Sequence, residues 1–144
     1  MEVDKNLEEK LVSMFVIKKY RKRIIYELFH KNKRWDGVVH LHTSVFDLRQ
    51  AIPLKNIRPE EHMKYLIQYG AKTKSCYMLG EDLGGDYYCY ITDLDKAMYI
   101  TWRNIGGMFI YCGNGIAYYK EESNLDTPDS YILVNKYYKE VSEG

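Results

Sequence analysis

The residue types best suited to nucleophilic catalysis or metal binding are few and widely spaced. The chain of 144 residues has four histidines and three cysteines. They are His30, His40, His42, His62, Cys76, Cys89 and Cys112. They form no H-E-x-x-H motif and no C-x-x-C pair, so we expect no metal site and no cofactor. A cysteine and a histidine could still meet in the fold, which keeps a small hydrolase with a Cys/His centre as a second alternative.

A glycine-rich corner, Cys112-Gly113-Asn114-Gly115, could in principle wrap around a phosphate group. Such a cradle needs a helix after the glycines, whereas the segment that follows, IAYYKEE, is strand-like. Asn-Gly is also the preferred centre of a type I′ turn. The corner therefore predicts a β-hairpin and argues against a nucleotide site.

Positive charge is concentrated in the first part of the chain. Residues 1–58 hold 13 Lys or Arg and 7 Asp or Glu, whereas residues 59–144 hold 8 and 13. Basic side chains neutralise phosphates, and aromatic rings stack on bases. A nucleic-acid-binding protein that uses a basic helix in residues 18–34 is therefore the first alternative, although the pI near 7.7 argues against it. Its contact residues would be Lys18, Lys19, Arg21, Lys22, Arg23, Arg34 and Trp35.

Acidic and tyrosine residues gather in the second part of the chain, around the expected turns of a sheet. Fifteen tyrosines against four phenylalanines suit half-buried strands whose hydroxyl groups stay in contact with water. Carboxylates beside aromatic rings also form a surface that a basic protein can recognise. The predicted partner-binding residues are Asp82, Asp86, Tyr87, Tyr118, Tyr119, Glu121 and Glu122. A solvated acidic rim without a partner is the other interpretation.

Helix and strand patterns place these groups in a single α+β domain spanning residues 1–144. Helical patterns cover residues 4–31, with a break near residues 14–18, and the segments RPEEHMKYLIQYG and TDLDKAMYITWRNIGG. SCYMLG, YYCYI, MFIYC, IAYYK and YILVNKYY predict strands. We expect three or four helices, with the N-terminal helices packed on one face of an antiparallel sheet of four to five strands formed mainly by the C-terminal half. The last strand would allow a homodimer if it lay at a sheet edge.

These patterns favour a protein that acts by binding another protein. The chain starts with the charged segment MEVDKNLEEK, which is unlike a signal peptide, and no apolar stretch approaches the roughly 18 residues of a membrane span. An odd number of widely spaced cysteines is typical of a reducing cytoplasm, so we expect a cytoplasmic protein that contacts no membrane. The predicted function is a non-catalytic protein-binding module, of the inhibitor or immunity type, that masks a basic toxin or nuclease.

Overall fold

The protein folds into helices that surround one sheet. The computed structural model describes residues 3–85, 87–123 and 127–137, and within these residues it has five α-helices and six β-strands. The helices are α1 (Lys5–Phe15), α2 (Lys18–Phe29), α3 (Arg34–His40), α4 (Pro59–Tyr69) and α5 (Leu94–Arg103). The strands are β1 (Ala51–Pro53), β2 (Cys76–Gly80), β3 (Cys89–Thr92), β4 (Met108–Tyr111), β5 (Ile116–Lys120) and β6 (Ser130–Val134). The predicted α+β class is confirmed.

The six strands form one antiparallel sheet in the order β1-β6-β5-β4-β2-β3. This is one strand more than the sequence predicts. The pattern does not reveal β1, because Pro53 is typical of a loop; β1 lies at the sheet edge, where a residue without an N–H group is tolerated. The last strand, β6, pairs with both β1 and β5. It does not lie at an edge, so the condition for a homodimer through this strand is not met.

Helices cover both faces of the sheet, whereas the sequence predicts helices on one face. The face that carries Tyr77 and Phe109 packs against α1, α2 and α3, and the face that carries Met78 and Ile110 packs against α4 and α5. Successive side chains of a strand point to opposite faces. Every residue of β2, β4 and β5 is therefore buried, which explains their nearly continuous apolar sequences.

The Cys-Gly-Asn-Gly corner is the turn between β4 and β5, as the sequence predicts. Asn114 and Gly115 have φ angles of 55° and 72°, the positive values that a type I′ turn requires. The Ile116 N–H donates to the Gly113 carbonyl at 2.9 Å. The Asn114 amide donates to the Gly70 carbonyl at the end of α4, also at 2.9 Å. The corner therefore closes a hairpin and holds it against α4.

A buried ion pair fastens the N-terminal helices to the sheet. Both terminal nitrogens of Arg34 in α3 donate to the Glu8 carboxylate in α1 at 2.7 Å, and the two side chains are 6% and 0% exposed. The Tyr77 hydroxyl of β2 donates to the same carboxylate at 2.5 Å. Arg34 Nε donates to the Tyr87 carbonyl at 2.6 Å. This burial corrects the assignment of Arg34 to a nucleic-acid surface, because its guanidinium faces the protein interior.

A second buried polar network lies on the opposite face of the sheet. His62 in α4 is 1% exposed. Its Nε2 donates to the Ile57 carbonyl at 2.8 Å, and its Nδ1 accepts from the Tyr118 hydroxyl at 2.8 Å. Trp102 Nε1 donates to the same hydroxyl at 3.1 Å. Burial lowers the pKa of His62, so the ring is held neutral. Tyr118 is 0% exposed, which corrects its assignment to a partner-binding surface.

Replacing Arg34 with alanine would leave the Glu8 carboxylate buried without its cation. Removing one partner of a buried ion pair costs about 3–5 kcal/mol, so we expect Arg34→Ala to lower the free energy of unfolding by about this amount. Urea titration followed by tryptophan fluorescence measures the change. Arg58→Ala is the control, because Arg58 pairs with Glu61 on the surface and is 77% exposed. Equal urea midpoints for the two variants would contradict the role of the buried pair.

The His62 network makes stability depend on pH. Folding lowers the pKa of His62 below its ordinary value of 6.5, so the unfolded chain binds a proton that the folded chain does not. Its contribution to stability is therefore lost as the pH falls below 6.5. We expect wild type to lose more Tm than His62→Gln between about pH 7.5 and about pH 5.5. Parallel loss of Tm in the two proteins would show that His62 is not held neutral.

Candidate functional site

An acidic pocket opens at the edge of the sheet where β2 and β5 end and β4 begins. β2 and β5 run in the same direction on either side of the antiparallel β4, and Gly80, Met108 and Lys120 lie side by side in the register. The residues that follow β2 and β5 therefore emerge together. The pocket has a volume of about 310 Å³, close to the lower end of the roughly 300–1,000 Å³ that ligand pockets occupy. Residues that line it include Thr43, Glu81, Gly107, Phe109, Tyr119, Glu121 and Glu122.

Four acidic residues meet at this edge and form two pairs. They are Glu81 and Asp82 after β2, and Glu121 and Glu122 after β5. The Asp82 carboxylate accepts from the Gly106 N–H at 2.6 Å, and Glu121 accepts from the Thr43 hydroxyl at 3.0 Å. Glu81 and Glu122 make no hydrogen bond or ion pair with any residue that the structure describes. Two of the four acids are thus held in place, and two are available to a ligand.

The carboxylates repel one another. Burial raises the pKa of Glu81, and the negative charges of Asp82 and Glu122 raise it further. Both effects disfavour the ionised form of the carboxyl group. The folded protein therefore carries a local excess of negative charge that a cation would relieve.

A buried tyrosine lines the same pocket. Tyr119 is 4% exposed, and its ring packs edge-on against Phe46 with 5.1 Å between centroids. The hydroxyl lies beside Gly107, where an added Cβ would come within 2.9 Å of the oxygen. It makes no hydrogen bond to any residue in the described part of the chain. Burial raises the pKa of this phenol, and the three pocket glutamates add to the effect. Because the hydroxyl lines the pocket and has no protein partner there, a ligand that enters the pocket could donate a hydrogen bond to it.

A buried lysine lies near the acidic edge but directs its hydrogen bonds elsewhere. Lys120 is 0% exposed. Its ammonium donates to the carbonyls of Asn104 and Glu121 at 3.1 and 3.2 Å, and to the Ser123 hydroxyl at 3.2 Å. Burial lowers the pKa of Lys120, while the carboxylates of Asp82 and Glu122 act in the opposite direction. Its charge weakens the repulsion at the acidic edge, but its three donors are already used.

The structure brings together part of the predicted partner-binding set. Asp82, Tyr119, Glu121 and Glu122 meet at the acidic pocket or its edge. Tyr87 is 51% exposed but does not line the pocket, and Tyr118 lies in the opposite core. Asp86 lies outside the described residues.

Nine of the residues that line the pocket are absent from the predicted partner-binding set. They are Val38, Val39, Leu41, His42, Thr43, Leu79, Glu81, Gly107 and Phe109. Glu81 adjoins the predicted Asp82 in an acidic turn, and this adjacency is the signal that could have found it. Thr43 lies 78 residues from Glu121, to which its hydroxyl donates a hydrogen bond. No local sequence pattern predicts such a contact.

Some of the predicted nucleic-acid-binding residues are exposed and others are buried. Lys18, Lys19, Lys22 and Arg23 are exposed on α2, and Trp35 is 48% exposed. Arg21 is partly buried, and its Nε donates to the Val16 carbonyl at 2.9 Å. Because Arg34 is buried as well, the basic surface is reduced to one helical stripe and a neighbouring indole.

His42 lines the pocket and His40 lies two residues before it, but the two histidines have separate hydrogen-bond partners. His42 Nδ1 accepts from the Ser44 hydroxyl at 2.7 Å and from the Ser44 N–H at 3.2 Å, which is a local turn contact. His40 Nδ1 contacts the Glu27 carboxylate at 2.8 Å. A hydrolytic triad would need the group that orients the base to bind the same histidine as the nucleophile. The three cysteine residues are 1%, 5% and 1% exposed, so their thiols are shielded from a substrate. Both observations weigh against the hydrolase.

In residues 3–85, 87–123 and 127–137, no group of three His, Cys, Asp or Glu side chains converges in a way that could hold a metal ion. Within the same residues, every helix is too short or too polar to cross a bilayer.

Removing the charge of Glu81 should stabilise the protein at neutral pH. Folding raises the pKa of Glu81 above its ordinary value of 4.5, so the cost of ionisation is absent below 4.5 and complete above the raised pKa. We expect Glu81→Gln to have a higher Tm than wild type at about pH 7 and no such gain at about pH 3.5. Glu9→Gln, on the exposed side of α1, is the matched control. A lower Tm for Glu81→Gln at neutral pH would contradict the account of repulsion.

The chain matches no protein-family model, and no curated protein or solved structure shows significant similarity to it. Its function must therefore be inferred from the acidic pocket and from the charges around it.

Proposed function

We propose that this protein is a non-catalytic protein-binding module of the inhibitor or immunity type, which uses the acidic pocket and its edge to mask a basic toxin or nuclease. The observation that carries the proposal is the set of acids around Tyr119, of which Glu81 and Glu122 have no partner in the described residues. We place the protein in the cytoplasm, because three free, buried thiols suit a reducing compartment.

The charge arrangement favours a basic partner for two reasons. Carboxylates that repel one another are relieved when a positive group binds between them, so part of the cost of their proximity is recovered in the complex. Acids concentrated at one edge also steer a positively charged protein during its approach. A basic partner would therefore associate rapidly and would be distinguished from neutral proteins.

The aromatic residues supply the apolar part of such a contact. Phe109 and Tyr119 line the pocket beside the acids, and Tyr87 is exposed on the loop after β2. Aromatic anchors surrounded by charged residues are typical of the energetic centre of a protein interface.

A second candidate function is nucleic-acid binding through α2. Lys19, Lys22, Arg23 and Tyr26 follow one another at positions i, i+3, i+4 and i+7, so they form one stripe of the helix, and Tyr26 is 58% exposed. Phosphates would pair with the cations, and the ring could stack on a base. The stripe is short, and the pocket that borders Arg23 has a volume of about 160 Å³, about half that of the acidic pocket.

The direct test is a pull-down from the native lysate with the tagged protein, at low and high salt and with nuclease treatment in parallel. We expect a basic protein that survives nuclease treatment, and we expect Glu81→Lys/Glu122→Lys to reduce its recovery about tenfold or more, because like charges would then face the partner. The control is Glu9→Lys/Glu60→Lys, which changes the net charge equally at two exposed positions of α1 and α4.

The variants separate the two candidate functions. Equal recovery of the same protein by wild type and by Glu81→Lys/Glu122→Lys would contradict the proposal. Recovery of nucleic acid that is lost at high salt, and lost in Lys19→Gln/Lys22→Gln/Arg23→Gln, would instead support the basic helix, because cation–phosphate contacts weaken steeply with salt.

A further inference from the structure

We propose that the acidic pocket receives the guanidinium group of an arginine side chain from the partner, with Glu81 and Glu122 as carboxylate ligands and the Tyr119 hydroxyl as a third acceptor. This inference deepens the proposed function and rests on it for the source of the arginine. It names the chemistry that the partner must present and the atoms that would recognise it.

The acceptors surround one opening. Glu81 follows β2 directly and Glu122 lies two residues after the end of β5, on either side of Gly107, which precedes β4. The hydroxyl of the buried Tyr119 lies beside this glycine. Among the described residues, neither this hydroxyl nor the carboxylates of Glu81 and Glu122 has a hydrogen-bond partner. A group with several donors in different directions would satisfy all three.

Gly107 gives access to the hydroxyl. Its position is only partly buried, and a Cβ there would approach the Tyr119 oxygen to 2.9 Å. Any side chain at this position would therefore occupy the space above the hydroxyl. The absence of a side chain leaves room for a donor that enters from solvent.

The two free carboxylates favour guanidinium over other cations. A guanidinium is planar, weakly hydrated and carries five N–H donors in a fixed arrangement, so it can bind two carboxylates and a hydroxyl at once. Phe109 and Tyr119 lie in the wall of the pocket but are only 2% and 4% exposed, so the carboxylates make the main contacts. A lysine ammonium is compact and strongly hydrated, and it cannot form the same two-point contact with a carboxylate.

Lys120 carries a positive charge that acts on the acidic edge, but it is not the ligand of the acidic pocket. Lys120 acts on Asp82 and Glu122, but its three donors bind Asn104, Ser123 and the Glu121 carbonyl. It forms part of the buried scaffold under the acidic edge. We therefore assign the ligand cation to another molecule.

The inference is tested on the full chain, labelled with ¹⁵N, by NMR titration with N-acetyl-arginine amide and, in parallel, with N-acetyl-lysine amide. The two probes carry the same charge. We expect saturable shifts of the amide signals of Gly107 and of the residues that follow β2 and β5, with the arginine probe binding at least about fivefold more tightly. Equal affinity for both probes, or an absence of saturable shifts at these amides, would overturn the inference.

Two conservative variants probe the proposed acceptors. Tyr119→Phe removes only the hydroxyl, and loss of one hydrogen bond predicts affinity for the arginine probe about threefold to tenfold weaker. Glu122→Gln removes one charge and should weaken binding about tenfold. Tyr26→Phe, on α2, is the matched control and should bind the probe like wild type. The same NMR spectra report whether each variant is folded. Unchanged affinity in a folded Tyr119→Phe would exclude the hydroxyl as a ligand and overturn the inference.

The pull-down and the titration can fail independently. In one case, a basic partner no longer binds Glu81→Lys/Glu122→Lys but still binds Tyr119→Phe, and the arginine probe does not bind. These results would overturn the inference and leave the proposed function standing. Arginine binding at the pocket without any basic protein partner would overturn the proposed function and leave the assigned ligand chemistry standing.

Discussion

The antiparallel register of β2, β4 and β5 forces two pairs of carboxylates to emerge at one edge of the sheet. A shift of one residue would turn every buried side chain of these strands to the opposite face, so the acids cannot separate without loss of the core. Glu81 is held near Asp82 and Glu122 by the same pairing that buries Met78 and Ile110. Repulsion between the carboxylates at this edge therefore destabilises the fold. Unfavourable local interactions of this kind are expected at functional sites.

Most of the buried polar groups elsewhere in the fold have hydrogen-bond partners. Glu8 and Arg34 bind each other and a tyrosine hydroxyl, His62 uses both ring nitrogens, and Lys120 uses three donors. Such satisfaction is the rule for protein interiors. Within the described residues, the buried side-chain atom without a partner is Oε1 of Gln50. The Tyr119 hydroxyl differs from the paired groups because it has no protein partner and lines the acidic pocket, where a ligand could reach it.

Local chemistry made some elements predictable from the sequence. Asn114 and Gly115 adopt the positive φ that their residue types favour, and Gly70 ends α4 with a φ of 110°. Three of the four acids after β2 and β5, Asp82, Glu121 and Glu122, could be named because turns follow apolar strands. Burial was harder to predict: Arg34 binds a carboxylate 26 residues away, and Tyr118 binds a histidine 56 residues away. The contribution of Gly107 and Thr43 depends likewise on how distant segments pack, which local periodicity does not encode.

The central claim is that the acidic pocket carries unsatisfied negative charge that an arginine side chain neutralises. The most direct measurement is a carboxyl ¹³C NMR titration of Glu81, with and without saturating N-acetyl-arginine amide. The account predicts a pKa above the ordinary 4.5 in the free protein and a fall in that pKa when the probe is bound, because a nearby cation favours the ionised form. A Glu81 pKa at its ordinary value that does not respond to the probe would contradict the account.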